Sequence, residues 1–201
     1  MKIKKYFTFL IFLALFMVLL SYVFKRFNFN SNLEVGEKID SLNGVYVHHN
    51  GGVSHILERN RTKDGYNLGM KYQCVEFVKR YYYETYKHKM PDAFGNAKDF
   101  FDPKLMDGEF NNTRGLLQFT NASSSKPQVG DLLIYSPTIL NKFGHVSIIS
   151  KVTDDQIEII QQNPGPFSSS REHFILIRSN NKWKINNSRI VGWLRKDLSE
   201  A

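Results

Sequence analysis

An uncharged, mostly apolar run at residues 6–24 divides this chain into two parts with different solvents. Nineteen residues at the helical rise of about 1.5 Å span roughly 28 Å, close to the hydrocarbon thickness of a bilayer. Backbone in hydrocarbon must satisfy its own hydrogen bonds, so the run is expected to be one helix. Lys2, Lys4 and Lys5 precede it, and Lys25 and Arg26 close it. A signal peptide would have an apolar core of about 7–15 residues and a small-residue cleavage site. Leu19-Leu20-Ser21-Tyr22-Val23 offers no such site. Residues 1–26 are therefore expected to be an uncleaved, single-pass membrane anchor, with a cleaved signal peptide as the alternative. Three lysines and the terminal amine outweigh the two basic residues behind the run, which places the N-terminus inside and the remainder outside the cytoplasm.

The 201 residues leave room for one domain with a real core. Residues 27–42 are polar and irregular and read as a linker, with the domain over 43–197. The formal charge of +8 suggests nucleic acid only until it is located. The first 26 residues hold five of the 27 basic side chains and none of the 19 acidic ones, leaving 22 against 19. That is an ordinary surface, and nucleic acid is excluded as a partner. The lone cysteine, Cys74, makes no internal disulfide.

From Cys74 the apolar positions Cys74, Phe77, Val78, Tyr81 and Tyr82 recur at i, i+3, i+4, i+7 and i+8, the stripe of a helix running to about Tyr86. Lys79, Arg80 and Glu84 fall outside it. A second short helix is expected at 96–101, before Pro103. Strands are expected at 44–47, 129–135, 145–152, 156–160, 174–177 and 190–194, with Thr153-Asp154-Asp155 turning a hairpin. Helices first and an antiparallel sheet second make an α+β domain.

A thiol at a helix N-terminus meets unpaired N–H groups and the positive end of the helix dipole, which favours the thiolate. A nucleophilic thiol also needs a base, and imidazole serves at neutral pH. Of six histidines, His88 lies beyond the helix and His173 in a polar loop. His48, His49 and His55 lack metal-site spacing. His145 follows Gly144 at a strand entry, from which it can reach a helix N-terminus. An orienter for that ring is sought in Ile157-Glu158-Ile159-Ile160-Gln161-Gln162-Asn163. Alternation puts Gln161 and Asn163 on one face and Glu158 and Gln162 on the other, so the orienter is Gln161 or Asn163. Oxyanion stabilisation is assigned to the Cys74 N–H plus one upstream donor among Tyr72, Gln73 and Asn50, which the sequence does not separate.

Five segments, Tyr72-Gln73-Cys74-Val75-Glu76-Phe77, Gly95-Asn96-Ala97-Lys98-Asp99-Phe100-Phe101, Val129-Gly130-Asp131-Leu132-Leu133, Gly144-His145-Val146 and Gln161-Gln162-Asn163, together resemble the CHAP family, the cysteine, histidine-dependent amidohydrolase/peptidases. The resemblance covers roughly 43–196, and its nearest flavour is the amidase domain of glutathionylspermidine synthetase/amidases. It implies a papain-like (NlpC-type) fold, N-terminal helices on an antiparallel sheet behind one transmembrane helix. It also implies Cys74 as nucleophile and His145 as base. The family's third position usually reads Glu-x-Asn; Gln161-Gln162-Asn163 here lacks that charge, which puts turnover rate in question more than reaction type. Calcium ligands of some phage lysins have no counterparts, so no metal or cofactor is expected. The expected protein is a monomeric, membrane-tethered amidase or endopeptidase acting on peptidoglycan or other peptide amides. The alternatives are a glutathionylspermidine-type small-amide hydrolase and a non-catalytic wall-binding protein on the same fold.

Overall fold

The computed structural model describes residues 2–139 and 141–197. Its first element, α1 (Lys2–Phe24), exposes its apolar side chains from Tyr6 to Phe24, and Lys4–Phe24 is long and apolar enough to cross a membrane. The stretch expected to be an irregular linker is partly ordered against the domain. Lys38–Leu42 forms β1, antiparallel to β2 (Val45–His48). Ahead of it, Phe29 N–H donates to the Gly51 carbonyl and Gly36 N–H to that of His49. The polar side chains that read as tether satisfy backbone here: Asn28 Nδ2 donates to the Leu33 carbonyl at 2.7 Å.

A two-stranded ribbon, β3 (Arg59–Arg61) and β4 (Asn67–Met70), leads into α2 (Cys74–Tyr86). Phe77, Val78, Tyr81 and Tyr82 are buried, as the stripe requires. Lys79 departs from the sequence reading. It is buried, and its ammonium donates to the Asn67 carbonyl and, at 2.8 Å, to that of Ala93. Desolvation pushes its pKa down to about 8. The second expected helix is a 3-10 turn, Ala97–Phe100.

The remaining strands are β5 (Phe110–Asn111), β6 (Leu116–Thr120), β7 (Leu132–Tyr135), β8 (His145–Val152), β9 (Gln156–Ile160), β10 (Arg171–Ser179), β11 (Lys182–Ile185) and β12 (Ile190–Arg195). They form one antiparallel sheet in the order β11-β10-β9-β8-β7-β12-β6-β5. His173, expected in a loop, lies in β10 opposite Glu158 and is exposed. The sheet curls until β11 meets the chain just after β6, where Trp183 N–H donates to the Ser123 carbonyl at 2.7 Å.

Period-two alternation gives the sheet two apolar faces. Leu132, Ile134, Val146 and Ile148 pack with α2 and β2, while Leu133, Tyr135, Ile149, Ile159 and Trp193 fill the inside of the curl. Helix α2 is thereby clamped on β8 with its first residue at the rim, where β8 begins.

Candidate active site

Gln73 is the N-cap of α2, in extended backbone, with no side-chain cap on the first turn. The N–H groups opening the helix therefore stay available around Cys74. The approach to that turn is tight: a Cβ on Gly69, whose φ is +125°, would lie 3.2 Å from the Glu76 nitrogen. Gly144 does the same for the histidine. Its φ is +75°, and a Cβ there would lie 2.8 Å from the Tyr135 carbonyl oxygen. Glycine lets the loop reach the 3-10 turn, where Lys98 N–H donates to the Phe143 carbonyl at 3.0 Å. Asn141 Nδ2 holds the Gly144 carbonyl at 2.8 Å.

His145 is buried, and its Nε2 lies 2.9 Å from Gln161 Oε1. The Gln161 amide is fixed from its other end, because Nε2 donates to the Ser169 carbonyl at 3.2 Å. Its oxygen therefore faces the ring and accepts the proton on His145 Nε2. That tautomer leaves Nδ1 with the lone pair, the form a base needs. Cys74 and His145 line one cleft of about 650 Å³, walled also by Gln73, Phe94, Phe143 and Asn163. The half-buried thiol sits within reach of the N–H of Val146, the residue after the histidine.

Burial pushes the Cys74 thiol up to about 11, against the pull of the N–H groups of Val146, Val75 and Cys74 itself. Burial also pushes His145 down to about 4; the Gln161 hydrogen bond opposes this and the charge of Arg189 adds to it. The helix N-terminus acts in the expected direction, but desolvation outweighs it, so the expectation of a favoured thiolate is corrected. The resting pair is a neutral thiol and a neutral imidazole. Such a pair reacts by passing the thiol proton to the ring as sulfur bonds to its electrophile.

The other sequence candidates separate. The hydrogen bond of His145 goes to Gln161 and not to Asn163. Strand β9 ends at Ile160, and Asn163, with φ +56°, turns its Nδ2 to Gln73 Oε1 at 2.8 Å and the Val53 carbonyl at 3.1 Å. Alternation fails there because the strand has stopped. Gln73 borders the cleft and spends one amide hydrogen on the His55 carbonyl at 2.6 Å, which leaves the other for a ligand. Asn50 is buried with both amide hydrogens engaged, on Gly52 and His55 carbonyls, and its oxygen accepts from Tyr72 N–H. Tyr72 packs on the His48 ring at 4.8 Å, away from the cleft. Of the three upstream donors, the geometry keeps Gln73. Glu158 pairs with Arg171 at 2.8 Å and is not among the walls of the cleft.

Sequence reasoning missed the support beneath the site. Gln162, fully buried, donates from Nε2 to Glu76 Oε2 at 2.9 Å and to the Gln73 carbonyl at 3.0 Å, and accepts from His48 N–H at 2.8 Å. Glu76 also binds Arg80 Nε at 2.7 Å and Asn60 Nδ2 at 2.8 Å. The one local signal was a carboxylate in the first turn of α2. Among the described residues no cluster of three histidine, cysteine or carboxylate side chains fits a metal. His48, His49 and His55 each turn a ring nitrogen to a separate partner: the Gly36 carbonyl, Asn28 Oδ1 and the Asn50 carbonyl.

Residues 64–163 match the model of the CHAP domain. Trypanothione synthetase of Crithidia fasciculata is 32% identical over 100 residues, which is 50% of this chain and 15% of that protein. The bifunctional glutathionylspermidine synthetase/amidase of Escherichia coli (strain K12) is 33% identical over 98 residues, 48% of this chain and 16% of that protein. The chain thus spans about a sixth of the length of these relatives. The solved crystal structure of Ly7917 aligns with 61% of this chain and 53% of its own at 18% identity and a TM-score of 0.38, too slight a likeness to bear on the site.

Proposed function

Because the chain belongs to the CHAP domain family, whose members are amidase or peptidase hydrolases, we propose that it hydrolyses peptide amides through Cys74 and His145, outside the cytoplasm, on the stem or bridge peptides of peptidoglycan. Cys74 sulfur attacks the amide carbon as His145 Nδ1 takes the thiol proton. The oxyanion is met by the Cys74 N–H and the Gln73 amide. The imidazolium then gives its proton to the leaving nitrogen, the C–N bond breaks, and a thioester remains on Cys74. Water, deprotonated by His145, attacks the thioester; the acid departs and the thiol is restored. Gln161 holds the ring in the working tautomer throughout.

The observation that carries this reading is the Gln161–His145 hydrogen bond at the wall of a cleft that Cys74 also lines. The long apolar α1 supports a tether over residues 6–24, which would keep the domain near the cell wall. The test is release of new amino groups from purified wall material by the full chain and by its Cys74→Ala variant. A variant that releases them at the wild-type rate overturns the assignment.

A second reading has a specific basis. Both relatives above carry names of glutathionylspermidine or trypanothione chemistry, which favours a small amide of that kind. Mass spectra of products formed from wall peptides and from glutathionylspermidine distinguish the two.

A further inference from the structure

Resting on the Cys74–His145 reading, we infer that Arg189 forms a carboxylate-binding subsite on the leaving-group side of His145, so that the amine released carries a free carboxylate. A second pocket, of about 600 Å³, opens beyond the imidazole; its walls include His145, Gln161, Tyr135, Phe174, Asn187 and Arg189. It abuts the cleft through Val53, Ser54, Asn141, His145 and Asn163, and Cys74 is not among its walls. The group that hands a proton to the departing nitrogen must lie against the departing half of the substrate. A pocket walled by that group, and not by the nucleophile, therefore receives the amine.

Its charge, that of Arg189, faces the Tyr135 ring, 5.9 Å from the centroid, and meets no carboxylate among the described residues. The Arg189 guanidinium has no ion-pair partner among the described residues; Nη2 makes one hydrogen bond, to the Ser136 carbonyl at 3.2 Å, and Nε is buried with none. The other arginine there, Arg171, is engaged by Asp40 at 2.9 Å and Glu158 at 2.8 Å. A planar cation with open donors matches a carboxylate in two-point geometry. Its backbone is set just ahead of β12: Arg189 N–H donates to Asn187 Oδ1 at 2.9 Å, and its carbonyl accepts from Ser136 N–H at 2.7 Å. Glu172, exposed on the same wall, adds a negative charge that disfavours dianions and suits an amino acid or peptide C-terminus.

The single cysteine gives a test that needs no turnover. Iodoacetyl probes extended by zero, one or two glycines, each ending in a carboxylate or in a carboxamide, are reacted at pH 9 with the full chain, iodide leaving as the C–S bond forms. Labelling of Cys74 is followed by intact mass. At one probe length the carboxylate labels about tenfold faster than its carboxamide twin. That ratio falls to about one in Arg189→Gln, is partly kept in Arg189→Lys, and stays in Glu172→Gln. Near-UV circular dichroism confirms that each variant is folded, because unfolded chain exposes Cys74 and labels with both ends alike. Equal labelling by both ends at every length, a preference that survives Arg189→Gln, or no labelling of Cys74 by any probe overturns the subsite. A carboxylate preference in a chain that hydrolyses nothing would keep the subsite and sink the hydrolase.

Discussion

Gln161 and Gln162 are neighbours in sequence, yet they end in two polar clusters of opposite character. Gln161 joins Cys74 and His145, which carry no formal charge at neutral pH; burial drives both towards their neutral forms. Gln162 joins Glu76, Arg80 and Asn60, where a buried carboxylate keeps an arginine at 2.7 Å. One step along the chain just past the end of β9 thus separates the uncharged candidate site from a charged clamp that pins α2 to the end of β9. The charge placed beneath the helix fixes where the thiol stands, while in the proposed mechanism the neutral pair passes its proton from sulfur to ring. Preorganisation and reactivity are divided between the two glutamines.

The largest blow to this division is aimed at the clamp. Glu76→Ala leaves Arg80 and the Gln162 amide without their acceptor and should cost about 3–5 kcal/mol of stability, read by urea unfolding. The pH profile of Cys74 alkylation in the surviving folded protein should stay where it was. A shifted profile would mean that the two clusters are one.

Gln161→Glu sharpens the comparison from the other side by putting a carboxylate against His145 Nε2. An adjacent negative charge raises an imidazole by about 1–3 pH units. The acid limb of kcat/KM, set by His145 near pH 4, should climb by that amount. A limb that does not move would show that position 161 does not govern the ring.

The smallest effect is on stability at low pH. A histidine lowered on folding binds its proton more readily in the unfolded chain. Its contribution is therefore full above pH 6.5 and is lost as pH falls through the folded value, about 4 for His145. His48, His49 and His88 are lowered in the same direction, each first by burial. The melting temperature should fall between pH 6.5 and 4, and His145→Gln should flatten part of that slope. An equal slope in both proteins would remove His145 from the account.

What the sequence made legible was what local periodicity governs. The stripe of α2, the 145–160 hairpin and the strand at 190–194 are written in spacings of 3.6 and 2. The same alternation pointed past Glu158 and left Gln161 and Asn163 both open; of the two, the amide on the ring is that of Gln161. It misled at Asn163 because a strand's end is fixed by its partners; the β8–β9 ladder stops at Ile160. Lys79 read as surface because five aligned apolar positions say nothing about carbonyls arriving from residues 67 and 93. The thiolate expectation failed for a related reason: a helix N-terminus is visible in sequence, but the desolvation brought by β8 across it is not. Residues 38–42 read as tether because β1 is half-exposed and owes its order to pairing with β2.

The central claim is that Cys74 and His145 act as one unit. It is tested most directly by the rate of Cys74 alkylation with iodoacetamide from pH 5 to 12, in the full chain and in its His145→Ala variant. With the ring as base, the wild-type protein should react at least about tenfold faster at pH 7–8. The two curves should converge near pH 11, where the thiol ionises unaided. Curves that superimpose at every pH would contradict the account, for the sulfur would then be indifferent to the imidazole.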